Sequence, residues 1–339
     1  MTSTSATVAP WDDEHRVAVI VVNYRTPQLT VACVESVRGS TGVRPRIVVV
    51  DNASGDESVA QFQAAFADFA DVTVVARSLN DGYTGGNNAG VAIATSMGAR
   101  FAFVLNSDTL IDTDCLRLLI DEAARDPRTA LVAPRIFFGD APDRIWFAGS
   151  RFSLWHGRAI HVGFRQRASE GWTDRRDLPF ASGCALLVDL TALDIAEPLF
   201  DASLFAYSED LDLSLRVRGA RRRIRFVPEA RVLHFEGSSH RRAGGEALRF
   251  YLSTRNSLRV VARHARWYHW PVLGPALAVD LIGRYCAVAI RDRDPVAFRA
   301  VLRGAWHALF GGRHAIEADI EIGHPSAYRA PATDRNTRS

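Results

Sequence analysis

Cysteine is scarce in this chain of 339 residues, and its four copies, Cys33, Cys115, Cys184 and Cys286, lie far apart with no CxxC pair. That spacing points to neither a thiolate zinc site nor a disulfide framework, and makes a reducing cytoplasm the expected setting. Long hydrophobic runs are missing too. The greasiest stretch, WPVLGPALAVDLIGRYCAVAI, is broken by Asp280 and Arg284, short of the uninterrupted run a spanning helix needs. The opening MTSTSATVAPWDDEHR lacks an apolar segment behind a basic start, so a polar disordered tail is expected there rather than a secretory leader. Neither GxGxxG nor GxxxxGK[ST] occurs, which leaves dinucleotide oxidoreductase and P-loop chemistry without their fingerprints. The formal net charge is only +3, and no recognised nucleic-acid motif accompanies it, so a nucleic-acid partner is not expected. Arginines crowd into the second half and hint at an anionic partner there. No internal repeat is present.

What the chain does have is alternation. VAVIVV (17–22), RIVVVD (46–51), VTVVA (72–76) and FAFVL (101–105) are short apolar runs rich in β-branched or aromatic residues, as expected of strands covered on both faces. Helix-length segments, QLTVACVESVRG, DESVAQFQAAFADF and GNNAGVAIATSMGA, separate them, which argues for a mostly parallel sheet flanked by helices. Ligands of such sheets bind beyond the carboxyl ends of the strands, so the polar residues after each run are expected to converge on one edge. From about residue 134 the pattern loosens into irregular strands or a covering insertion, RIWFAGSRFSLWHGR. CALLVDL, RIRFV and RVLHF then read as strands, SEDLDLSLRVRGA as a helix, and residues from 246 to about 310 as helical.

Five segments carry candidate chemistry. Asp51, followed by NASGDES, can accept hydrogen bonds from a base or ribose; equally, Ser54 and Gly55 can form a plain turn with Asp56 capping the next helix. In LNDGYTGGNNAG (79–90), Gly82, Gly85 and Gly86 permit close backbone approach, and a helix expected to begin near Asn87 offers free amides to a phosphate. FVLNSDTLI places Asp108 after a strand, as a hard oxygen ligand for a divalent cation or as an Asx turn. Asp112 and Asp114 are assigned to the first turn of the helix that follows. Glu209 and Asp210 stand together at a helix start, either as an N-terminal charge preference, which also accounts for Asp212, or with a carboxylate as a general base. His234, in RVLHFEGSSHRR, is either a packed structural histidine or a metal ligand, and His240, Arg241 and Arg242 form a basic cluster for phosphate or water.

Taken in order, VVNYRTPQLTVACVESV, VVVDNASGDES, NDGYTGGNNAGV, FVLNSDTLI, SGCALLVDLTAL, LFDASLFAYSEDLDLSLRVRGARRRIRFVPEARVLHFEGSS and FYLSTRNSLRVVARH resemble the family 2 glycosyltransferases of GT-A fold. The likeness is greatest to their bacterial rhamnosyltransferase-like branch and covers about residues 17–265. It implies an α/β catalytic domain over 16–245 with a mostly parallel central sheet; the pattern and composition add a helical region over 246–315 and disordered tails at 1–15 and 316–339. It further implies inverting transfer of a sugar, dTDP-rhamnose being the first choice of donor, helped by Mg²⁺ or Mn²⁺. Tyr24, Arg25, Asp51 and Ser54 would surround the nucleotide. Asn80, Gly82, Gly86, Asn87 and Asn88 would help hold base, ribose or phosphate, with Asn106, Ser107 and Asp108 at the diphosphate. Asp108 would be the metal-binding acid of a DxD-type motif in which Asn106 replaces the first acid. His234 would complete the metal shell, Asp210 would be the base, and Glu209 would contact or orient the acceptor.

The QxxRW motif of processive members is missing, with Arg255-Asn256 in that region, so transfer of a single sugar is expected. The acceptor classes left open are a glycan, a polyprenyl-linked glycan and a small metabolite. Trp267, Trp270 and Trp306 among arginines make the C-terminal helices either a packed layer or a face for the inner surface of an anionic membrane. A homodimer is compatible with all of this. The rival reading is a non-catalytic carbohydrate-binding or nucleotide-sugar-binding protein of the same fold, which would have no need of Asp210 and the metal set together.

Overall fold

The computed structural model describes residue 11 and residues 15–193, 198–235, 245–287 and 295–311. Most of the expected N-terminal tail, all of residues 316–339, and the cluster His240, Arg241 and Arg242 lie outside the described residues.

The first third alternates as expected: β1 (Val17–Asn23), α1 (Pro27–Arg38), β2 (Arg46–Asp51), α2 (Ser58–Ala65), β3 (Val72–Ala76), α3 (Gly82–Ser96) and β4 (Phe101–Asn106). Four strands pair in parallel in the order β3-β2-β1-β4. Val17–Val21, Ile47–Val50 and Phe101–Leu105 are buried, which is why these runs are apolar at every position rather than at alternate ones. β3 departs from the expectation of cover on both faces. It is the sheet's edge strand, and its residues are half-buried or exposed.

The sheet continues beyond β4 with mixed direction. After β5 (Thr109–Ile111) and α4 (Cys115–Arg125) come β6 (Thr129–Phe138) and β7 (Ala141–Phe147). β8 (Ser150–Ser153) and β9 (Arg158–His161) then form a separate two-stranded ribbon. The loosened pattern after residue 134 is therefore irregular strand. β10 (Arg176–Asp177), β11 (Ala185–Asp189), α5 (Glu209–Gly219) and β12 (Arg223–His234) complete this part. β11 runs antiparallel between β4 and β6, and β12 lies parallel to β6. RIRFV and RVLHF, expected as two strands, are one strand: β12 passes through a register shift between Val227 and Arg231 at Pro228, which donates no ladder hydrogen bond.

Three helices follow: α6 (Gly245–His264), α7 (Trp270–Ala287) and α8 (Pro295–Leu309). α6 packs inward through Tyr251, Leu252, Val260 and Val261. α8 lies close on α6 because Gly304 leaves room: a Cβ there would stand 2.6 Å from the Tyr251 carbonyl oxygen.

Candidate active site

The ends of β1, β2 and β4 bring the expected polar residues to one edge. Asn23 Nδ2 donates to Asp51 Oδ1 at 2.7 Å and Ser54 Oγ at 3.0 Å, while Asp51 also accepts from the Ser54 amide at 3.1 Å. Asp51 is thus both buried and the organiser of its own turn, so the two readings of this acid coexist. Arg25, at φ +59, donates from its backbone amide to Ser54 Oγ (3.0 Å) and from Nε to Ser54 O (2.9 Å). Its guanidinium lies 5.1 Å from the centre of the exposed Tyr24 ring.

The glycine-rich segment differs from expectation. α3 begins at Gly82, not near Asn87, so Gly85 and Gly86 lie inside the helix. Gly86 serves packing: a Cβ on it would meet Val22 Cγ1 at 2.7 Å. The asparagines are largely engaged by the protein. Asn80 Oδ1 accepts from Asn52 Nδ2 and the Gly82 amide, both at 2.9 Å. Asn87 Nδ2 donates to Tyr83 O at 2.9 Å, and its buried Oδ1 has no partner among the described residues. Asn88 spends its amide on the backbone of Phe200, donating at 2.8 Å and accepting at 2.9 Å.

Asp108 and His234 meet because β5 and β12 pair antiparallel, with His234 opposite Thr109 and the Phe235 amide donating to Asp108 O at 2.9 Å. Asp108 Oδ1 and His234 Nε2 come to 3.3 Å, both side chains buried. Burial opposes a charge on His234, but the Cys184 sulfur and the Asp108 carboxylate favour one and prevail, raising its affinity for a proton. Trp146, unforeseen from the sequence, stands edge-on to His234 at 4.7 Å and to His161 at 4.9 Å. Burial pushes His161 down to about 4. Ser107 Oγ lies 3.3 Å from Thr26 Oγ1, and the Asn106 side chain has no partner among the described residues.

Among the described residues no three His, Cys, Asp or Glu side chains converge as a metal cage. One carboxylate oxygen and one imidazole nitrogen nonetheless suit a divalent ion, the imidazole favouring Mn²⁺ over Mg²⁺, if oxygens of a ligand and water fill the other positions. The pair therefore fits a divalent ion whose remaining positions are filled from outside the chain.

The helix start at Glu209 and Asp210 completes the edge. Asp210 Oδ2 accepts from the Gly183 amide at 3.1 Å and Oδ1 from the Leu211 amide at 2.7 Å. Burial pushes both carboxyls up; Glu209, with Asp210's charge added and its Oε2 unpartnered, reaches about 8. Beneath them, the Tyr83 hydroxyl donates to Gly183 O at 2.6 Å. A Cβ on Gly183 would come within 3.0 Å of that hydroxyl and 3.5 Å of Asp210 Cβ and Glu209 Oε1, so the residue must be small. Asp212, assigned from sequence to the helix's charge preference, is instead fully buried among Arg216 (2.9 Å), Arg263 (3.2 Å) and His264 (3.0 Å).

Gly183 and Cys184 join the two halves. Gly183 N binds Asp210, while the next residue's carbonyl accepts from the Asn106 amide at 2.9 Å. With consecutive Cα atoms about 3.8 Å apart, the acid pair and the Asn106–Asp108 turn sit side by side.

The family model for glycosyl transferase family 2 matches residues 18–188, half of the chain. The chain belongs to glycosyl transferase family 2. As a member it is a glycosyltransferase, and its mostly parallel central sheet and flanking helices are those of the GT-A fold. The glycosyltransferase is 35% identical over 107 residues to the succinoglycan biosynthesis protein ExoO of Rhizobium meliloti (strain 1021). That alignment spans 32% of this chain and 29% of the relative. A crystal structure of GalNAc-T7 with UDP, GalNAc and Mn²⁺ is similar in fold, with a TM-score of 0.55 at 15% identity, over 86% of this chain and 54% of that one. So is the mannosyltransferase PcManGT from Pyrobaculum calidifontis in complex with GDP-Man and Mn²⁺, with a TM-score of 0.55 at 16% identity over 89% and 91% of the two chains.

Proposed function

We propose that this glycosyltransferase moves a single sugar from a nucleoside diphosphate donor to an acceptor hydroxyl with inversion at the anomeric carbon. The observation that carries the reading is the Gly183-Cys184 step, which fixes the Asp210 carboxylate next to the Asn106–Asp108 turn. Two proteins of similar fold were solved with nucleotides or nucleotide sugars and Mn²⁺, which supports the same ligand class here. dTDP-rhamnose remains the first donor to try, on the resemblance of the motifs. The acceptor class stays among glycans, polyprenyl-linked glycans and small metabolites.

In this mechanism Tyr24, Arg25 and Asp51 surround the nucleotide, Asn80 offers it Nδ2 while its Oδ1 holds the loop, and Asn88 supports the site through the Phe200 backbone. Asp108 and His234 would hold the divalent ion. Once bound, that ion supplies charge neutralisation for the departing diphosphate. Asp210 accepts the acceptor's proton as its oxygen attacks the anomeric carbon, and the bond to the diphosphate breaks on the opposite face. Burial suits the role, because a carboxylate with a raised proton affinity is a better acceptor near neutral pH. The Gly183 and Leu211 amides fix its direction. Glu209 keeps its proton up to about pH 8 and so can donate a hydrogen bond to the acceptor. No covalent sugar intermediate is required.

The test is nucleoside diphosphate release and product analysis over a panel of nucleotide sugars, with Mn²⁺ and with EDTA. Turnover of one donor, lost in EDTA and restored by Mn²⁺, is expected; full rates in EDTA would remove the metal from the mechanism. An α-configured product from an α-linked donor would contradict inversion.

The C-terminal helices support a second element of this reading, contact with an anionic lipid surface. On α8 the exposed side chains are Pro295, Val296, Arg299, Leu302, Arg303, Trp306 and Leu309, and the helix has no acidic residue. An apolar face with aromatic residues and only cationic charge is the composition of a helix lying in a bilayer interface. No described helix is long and apolar enough to cross a membrane.

A further inference from the structure

Arg255 and Asn256 are completely buried in α6, and Arg255 is the largest of the fully buried side chains. A guanidinium taken out of water seeks acceptors; here Nη2 finds carbonyl oxygens of another segment and Nε the neighbouring Asn256 side chain, while Nη1 has no partner among the described residues. Arg255 Nη2 donates to Ser203 O at 3.3 Å and Leu204 O at 3.2 Å, and Nε donates to Asn256 Oδ1 at 2.8 Å. Asn256 Nδ2 in turn donates to Leu204 O (2.8 Å), Ala206 O (2.7 Å) and Tyr207 O (2.9 Å). An amide has two hydrogens, so three acceptors share them, and the pair together grips the turn from Ser203 to Tyr207.

That turn has a shape which L residues avoid. Phe205, Tyr207 and Ser208 have φ of +66°, +69° and +67°, and none is glycine. Such backbone persists only where its surroundings over-determine it. One side is held by the Arg255-Asn256 pair. On the other, Phe205 O accepts from the Thr84 amide at 3.0 Å, and Gly82 lies so close that a Cβ would stand 2.3 Å from the same oxygen. Ser208 then leads directly into Glu209 and Asp210.

We propose that Arg255 and Asn256 are positioning residues for the acid pair: they hold Phe205, Tyr207 and Ser208 at positive φ in the turn against α3, and so aim Asp210 at the acceptor position beside Gly183. The proposal rests on the reading of Asp210 as general base. Two variants in the full chain test it. Asn256→Ala removes the donors, and Asn256→Asp keeps the shape while replacing donors by acceptors. In both, amide hydrogen exchange over residues 205–211 is expected to rise about tenfold or more, with β1 and β4 unchanged, because the turn opens locally. Turnover per donor-binding site, counted by calorimetric titration, is expected to fall about a hundredfold with donor affinity kept, since misplacement of a catalytic group by about an ångström costs that much. Wild-type exchange in the turn overturns the proposal. Raised exchange with wild-type turnover per site overturns it too, and leaves the pair a merely structural role. Arg255→Lys, which keeps the charge and loses the planar fork, takes the same measurements if the Asn256 variants do not fold. Asp210→Asn is run alongside: wild-type turnover there sinks the base assignment, while the exchange result still decides the clamp.

Discussion

Each acid of the site is placed by a different local device. Asp51 is held by its own turn, Asp108 by the pairing of β5 with β12, and Asp210 by two backbone amides. Glu209 lacks such a pair of amides; burial first and then Asp210's charge push its carboxyl up to about 8, against an ordinary 4.5. Between those values the folded state binds more protons than the unfolded one, so stability from this group is present at low pH and is lost as pH rises through about 8. Glu209→Gln should therefore melt with a flatter pH dependence between pH 5 and 9 and be the more stable protein at the alkaline end. Parallel melting curves would show that Glu209 titrates normally. At this scale the sequence was informative where acids follow strands, since strand ends converge whatever the side chains do. It was silent on Tyr83, Gly183 and Trp146, whose neighbours come from distant segments: Tyr83 reaches Gly183, and Trp146 reaches His234.

At the scale of elements, α3 is the clearest case of a pattern that reads two ways. Glycines in a polar loop suggest a phosphate cradle, but Gly86 and Gly90 sit where the helix crosses β1, and side chains there would meet Val22 at 2.7 Å and Ile20 at 2.4 Å. Close helix–strand packing and a phosphate loop leave the same signature, and only the helix start at Gly82 separates them. Gly86→Ala should cost about 1–3 kcal/mol, the usual range for overpacking a filled core, and lower the melting temperature by several degrees. An unchanged melting temperature would show that β1 yields freely. β12 illustrates the converse: Pro228 divided one strand into two in the sequence pattern, because a bulge and a chain break both interrupt alternation.

For the whole molecule, the parallel half of the sheet was legible in the sequence because buried strands are apolar throughout. The mixed half was not, since β6, β11 and β12 pair across long separations that no local pattern encodes. Among the described residues the outer face of α7 and α8 is uncovered: Val279, Ile282, Trp306 and Leu309 are each more than 60% exposed. Vesicles containing phosphatidylglycerol should sediment the protein, more weakly at high salt as charge is screened, and Trp306→Ser with Leu309→Ser should reduce binding. No sedimentation, with a dimer in light scattering, would assign this face to a second copy of the chain. The proposed transfer, and with it the catalytic effect of the clamp, depends on the acid pair beside the Asn106–Asp108 turn being the reacting centre. The most direct measurement is nucleoside diphosphate release from the accepted donor by Asp210→Asn, with Mn²⁺ present and donor binding followed in parallel. Loss of turnover by about 100-fold or more with donor affinity intact is expected of a missing general base; wild-type turnover would contradict the assignment.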